Sequence, residues 1–197
     1  MSYILNIETA TKNCSVAIAK DENLLMVKEL ATENFSHAEK LHLFIAEILH
    51  ETQLAFEQLS AVAVSKGPGS YTGLRIGVST AKGLCYALNI PLIAINTLQV
   101  LAKQITVENG IILPMIDARR MEVFSAFYNK DYKEIRATKA EIIDNTSYQK
   151  ISENLHLIGD GALKLQHVLT DKKFNFYPEI FYPSSKEMVA LAFDKYK

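Results

Sequence analysis

Cysteine, net charge and long apolar runs are all scarce in this chain, and each scarcity excludes a class of protein. Only Cys14 and Cys85 occur in 197 residues. One falls in an expected strand and the other in an expected helix, which argues for two packed, reduced thiols in a cytoplasmic setting rather than a disulfide framework. Lys and Arg number 21 against 22 Asp and Glu, a net charge of -1, so no overall basic field would hold a nucleic acid unaided. If RNA is a substrate, another chain is expected to hold it. The most apolar segment, Ile90–Ile95 (IPLIAI), is far too short to span a bilayer. The opening residues place no basic segment ahead of an apolar one, so neither export nor membrane insertion is expected.

Signature motifs are missing too. The stretch Ser65–Gly77, SKGPGSYTGLRIG, gathers Gly67, Gly69, Gly73 and Gly77 out of eight glycines in the chain. A Walker A loop needs a second glycine five residues after the first and then Lys; here Thr72 stands five after Gly67, and Leu74 follows Gly73. The dinucleotide fingerprint fails at Thr72 as well, and no acid lies about 20 residues further on to meet a ribose. His37 and His42 lie about 140° apart around a helix, not on one face, and there is neither H-E-x-x-H nor a Cys/His cluster. Ser70 lacks the G-x-S-x-G elbow of a hydrolase. Neither a metal site nor a catalytic constellation is expected.

Hydrophobic periodicity is strong. Tyr3–Ile7, Ser15–Ala19 and Leu24–Leu30 predict three consecutive strands. Leu41, Phe44, Ile45, Ile48 and Leu49 follow helical spacing behind Ser36 and Glu39, which are placed as a capping box. A strand at Ala61–Ser65, a helix from about Thr72 to Leu88, a strand in PLIAI and a short helix near Thr97 complete an order β-β-β-α-β-α-β-α. The second half restarts with strands in GIILPMI and EVFSAFY, has weaker helix signals, and closes on a helix in SSKEMVALAFDKY, where Ser184 and Glu187 again have capping-box spacing. This predicts an α/β chain of two lobes, residues 1–103 and a smaller, reduced lobe 104–197, each a mixed sheet with helices. The order matches the acetate and sugar kinase, Hsc70 and actin (ASKHA) architecture, an analogy that licenses no function by itself.

Two features invite a functional reading, and each has a plainer alternative. Gly73, Gly77, Ala81 and Cys85 recur every four residues, a stripe of small residues that suits either close packing on the protein's own sheet or contact with a partner helix. The turn after the first strand carries Glu8, Thr9, Thr11 and Lys12, and its second-lobe counterpart carries Asp117, Arg119 and Arg120. These groups suit an anion or a nucleotide phosphate, or they simply cap turns in solvent.

Taken in order, ILNIETATKNCSVAIA, SHAEKLHLFIAEIL, LSAVAVSKGPGSYTGLRIGVSTAKGLCYALNIPLIAINTL, LPMIDARRMEVFSAFY, LIGDGA and PSSKEMVALA resemble the bacterial TsaB (YeaZ) family of tRNA threonylcarbamoyladenosine biosynthesis proteins. The segment GPGSYTGLRIG is the most specific and is shared with the catalytic paralogue TsaD. The likeness covers most of residues 3 to 128 and the last third loosely. It implies a non-catalytic subunit that dimerises with itself or with TsaD through the first two helices, on a surface including Leu41, Phe44, Ile45, Ile48, Gly73, Gly77, Ala81 and Cys85. It implies an assembly in which TsaD transfers a threonylcarbamoyl group to the adenosine beside the anticodon of tRNAs reading ANN codons, with the ATPase TsaE. It further implies that tRNA is reached only through the complex, that the chain has no cofactor of its own, and that ATP or ADP binds weakly, if at all, at a subunit interface. A small-molecule phosphotransferase of the same fold and a peptidase acting on a partner are the competing readings.

Overall fold

The computed structural model describes residues 1–32 and 37–197; the Ser36 end of the expected capping box lies outside the described residues. Two units appear, Met1–Val100 with Pro183–Lys197, and Leu101–Tyr182. In the first, strands β1 (Tyr3–Glu8), β2 (Asn13–Lys20) and β3 (Asn23–Ala31) form an antiparallel run. Helix α1 (His37–Glu51) then leads to β4 (Leu59–Ser65), and α2 (Tyr71–Leu88) to β5 (Leu92–Ile95), giving a sheet of order β3-β2-β1-β4-β5 with β4 and β5 parallel to β1.

Side-chain alternation divides this sheet into two apolar faces. Leu5, Ile7, Val62 and Val64 point to the face where α1 contributes Leu41, Ile45 and Ile48 and α2 contributes Ala81 and Cys85. Ile4, Ala61 and Ala63 point the other way, and that face is covered by Met188 and Ala192 of the last helix, α5 (Met188–Tyr196). With both faces covered, β1, β2 and β4 read as nearly continuous buried runs.

This packing corrects the division at residue 103. Residues 183–197, expected in the second lobe, close the first unit, because its second face needs apolar cover. Polar contacts fix them there: Asn13 Nδ2 donates to Pro183 O at 3.0 Å, and the Ser15 and Ser185 hydroxyls meet at 2.6 Å. Ser184 caps a short 3-10 turn, Ser185–Glu187, by accepting from Lys186 N, and α5 begins after it.

The second unit repeats the topology with fewer helices. Helix α3 (Thr97–Ala102) enters it, and β6 (Ile111–Asp117), β7 (Glu122–Tyr128) and β8 (Glu134–Ile142) form the antiparallel run. Next come β9 (Leu155–Ile158), the four-residue helix α4 (Asp160–Leu163) and β10 (Phe174–Phe176), in a sheet of order β10-β9-β6-β7-β8. The order is that of the first sheet, but α4 stands where α2 has 18 residues, and turns over 145–150 stand where α1 has 15. The reduction expected for this lobe is therefore in its helices. The β6–β7 pairing skips Leu113 and Pro114, the latter having no N–H to donate.

Candidate functional site

The turn that follows β1 is tied down by hydrogen bonds from within its own unit. Glu8 is fully buried, with one carboxylate oxygen accepting from Ala10 N at 2.7 Å and the other from the Ser65 hydroxyl at the end of β4. Burial pushes its carboxyl up to about 7, against the lowering effect of the Ser65, Ala10 and Thr9 hydrogen bonds. The glycine-rich segment seals the turn from above. Ser70 N donates to Ala10 O at 2.7 Å, the Thr9 hydroxyl donates to Gly73 O at 2.8 Å, and His37 Nε2, from the start of α1, donates to Thr11 O at 2.7 Å. Desolvation holds the His37 imidazole below its ordinary pKa. Glu8, Thr9 and Thr11 are thus buried within the first unit, and of the four residues named in this turn Lys12 reaches the surface in part. The glycines serve this closure: a Cβ on Gly73 would overlap the Thr9 carbonyl, and one on Gly77 would overlap the Thr9 hydroxyl.

The same packing accounts for most of the residues expected at an interface. Gly73, Gly77, Ala81 and Cys85 are the inward stripe of α2, and Leu41, Ile45 and Ile48 the inward stripe of α1; Phe44 is half-buried and packs against the same core. The sheet of their own unit takes most of the space around these residues, while Ile45 also lines the groove described next and Phe44 keeps part of its surface exposed. The small residues bring α2 close to β1, which is the plainer of the two readings.

What the two helices offer to solvent is a groove between their outer sides, in two compartments of about 470 and 400 Å3. His42, Ala46 and Phe56 form one wall, and Ile76, Thr80 and Gly83 the other. Gly83 has no atom within 4 Å of where a Cβ would stand, so nothing in its own fold asks for glycine there. The sequence signal for this face was the glycine that falls outside the four-residue repeat, together with a complete lack of acids in α2.

In the second unit, Asp117, Arg119 and Arg120 form the tight turn joining β6 to β7. Arg119 and Arg120 both have positive φ, 76° and 49°. Arg119 N donates to Asp117 Oδ1 at 2.8 Å, Asp117 N donates to Asp160 Oδ1 at 3.0 Å, and Lys164 pairs with Asp117. Burial pushes the Asp160 carboxyl up to about 6, with the neighbouring Asp117 charge adding to the rise. This turn is capped by its own side chains, and both arginines are exposed. Among the described residues, no helix is long and apolar enough to cross a membrane, and no three His, Cys, Asp or Glu side chains cluster as metal ligands.

Comparison with known proteins agrees with this framework. Residues 29–193 match the family model described as TsaD, tRNA N6-adenosine threonylcarbamoyltransferase. The tRNA threonylcarbamoyladenosine biosynthesis protein TsaB of Buchnera aphidicola (subsp. Acyrthosiphon pisum) is 31% identical over 206 residues, covering 100% of this chain and 90% of that one. TsaB of Escherichia coli is 36% identical over 130 residues, covering 65% of this chain and 55% of that protein. Among solved structures, YeaZ from Pseudomonas aeruginosa superposes with a TM-score of 0.83 at 24% identity, covering 98% of this chain and 91% of the other. The fold is the two-lobed ASKHA arrangement, and the chain belongs to the TsaB (YeaZ) branch of the TsaD family.

Proposed function

We propose that this chain is an accessory subunit in the formation of threonylcarbamoyladenosine on tRNA, pairing with a TsaD transferase through the groove between α1 and α2. The observation that carries the reading is Gly83. A glycine inside an exposed helix face lowers stability by roughly 0.5–1 kcal/mol relative to alanine, and here no intrachain contact explains it. Close approach of a partner helix does. The apolar wall around it and the absence of acids on α2 suit a helix of apolar and acidic face. In this reading the chain supplies surface and TsaD supplies the chemistry; the Thr9 hydroxyl and the Glu8 carboxylate of the β1 turn are already committed to closing the fold. The test is size-exclusion chromatography with light scattering on the chain alone and mixed with TsaD from the same organism. Pairing is expected with the native chain and loss of pairing with Gly83→Trp, whose circular-dichroism melt stays native. Undiminished pairing by Gly83→Trp would overturn the assignment of the groove.

A further inference from the structure

We propose that α2 carries a second, separate binding face, for a short segment of single-stranded RNA. Tyr71, Arg75, Lys82 and Tyr86 fall within an arc of about 60° along the helix, at a rise of 1.5 Å per residue spanning about 22 Å. All four are exposed, Tyr71 at 74% and Tyr86 at 92%. Two fully presented phenol rings are unusual for a surface with no other use for them. The Arg75 guanidinium lies 5.3 Å from the Tyr71 ring centroid, so a cation and a π-face are already held together. With no Asp or Glu anywhere in α2, nothing on the helix opposes a phosphate.

Aromatic rings interleaved with cations along one line are what an unstacked strand requires: bases stack on the rings and phosphates meet the charges, without a demand for sequence. A duplex has no free base face to offer the tyrosines. The face is centred about 90° around the helix from Gly83, and of its four residues it shares Arg75 with the groove assigned to a protein partner. The chain's net charge of -1 hides this local stripe.

The test uses the full chain and a fluorescein-labelled short single-stranded RNA, with the same sequence as a duplex for comparison, followed by anisotropy over a range of salt. The single strand is expected to bind more tightly than the duplex. Tyr71→Ala and Tyr86→Ala should each weaken it at least about fivefold, while Tyr71→Phe, which keeps the ring, should not. Arg75→Gln with Lys82→Gln should flatten the slope of log K against log salt by about 1.4, two phosphate contacts on a single strand. Equal affinity for duplex and single strand, or alanine variants that bind as the native chain does, would overturn the proposal. So would tyrosine variants that keep their RNA affinity and instead fail to co-elute with TsaD, because the stripe is then a protein interface.

Discussion

Replacing glycine by alanine at two positions of the same helix should move stability in opposite directions. At Gly83 the new methyl meets open space, so the helix gains the roughly 0.5–1 kcal/mol that separates alanine from glycine. At Gly77 the same gain is available, but the methyl overlaps the Thr9 hydroxyl, which is donating to Gly73 O at 2.8 Å. Either Thr9 rotates and leaves its buried hydroxyl and the Gly73 carbonyl unpaired, at about 1–3 kcal/mol, or α2 shifts off the sheet, with the 1–3 kcal/mol typical of overpacking. Set against the propensity gain, Gly77→Ala should come out about 1–2 kcal/mol less stable than the native chain. For a chain of this size each kcal/mol moves the melting temperature by about 2–4 °C. Thermal unfolding followed by circular dichroism therefore expects a drop of several degrees for Gly77→Ala and a rise of a few for Gly83→Ala. Shifts of the same sign would refute the division of α2 into an inward face that needs glycine and an outward one that does not.

Three further outcomes follow from the same contacts. Glu8 ionises at about pH 4.5 when unfolded and about 7 when folded, so the native state holds an extra proton between those values and stability falls as pH rises across that window, by about 3 kcal/mol at most. Glu8→Gln, whose amide still accepts from Ala10 N and donates to Ser65, should remove that fall in denaturant titrations at pH 5 and pH 8; an unchanged difference would mean the carboxyl is not held neutral. Ser185→Ala deletes the 2.6 Å contact with Ser15 and should weaken docking of the C-terminal segment by about 1 kcal/mol, read as faster amide exchange in α5 with β1 and β4 unaffected. Arg119→Gly relieves a left-handed residue at φ 76° and should raise the denaturant midpoint of the second unit by the equivalent of about 1 kcal/mol.

The strands and long helices of the first unit were legible because burial imposes a period: Leu41, Ile45 and Ile48 must share one side of α1, and Leu5 and Ile7 one side of β1. The limits of sequence lay wherever two distant segments decide a question together. Nothing local to SSKEMVALAFDKY says that its helix covers the Ile4, Ala61 and Ala63 face of a sheet formed more than a hundred residues earlier, so the boundary at 103 misplaced it. The stripe of Gly73, Gly77, Ala81 and Cys85 has the right spacing for either a partner or the protein's own sheet. Only the position of Thr9 beneath it decides for the sheet. Glu8, Thr9 and Thr11 have the composition of a phosphate turn, yet Ser65, Gly73 and His37 already take the Glu8 carboxylate, the Thr9 hydroxyl and the Thr11 carbonyl, and Ser70 takes the carbonyl of Ala10 between them. The three-residue β10 is too short to show a period at all.

Because α2 combines these roles on one helix, its substitutions should separate by angle. Gly77 faces the sheet, Gly83 the groove, and Lys82 and Tyr86 the solvent shoulder beyond it. Arg75 stands at the rim, lining the groove on one side and stacking near Tyr71 on the other. If the groove takes a protein helix and the shoulder takes RNA, Gly83→Trp should abolish pairing and leave RNA affinity intact, and Lys82→Gln should weaken RNA binding and leave pairing intact. Arg75→Gln alone should affect both. That single shared residue also makes the two occupants adjacent, so a strand lying along the shoulder would be bordered by the partner's docked helix, and pairing should tighten RNA binding. Weaker RNA binding by the paired chain than by the free one would mean that the partner covers the shoulder, and that the two faces of α2 are one protein interface.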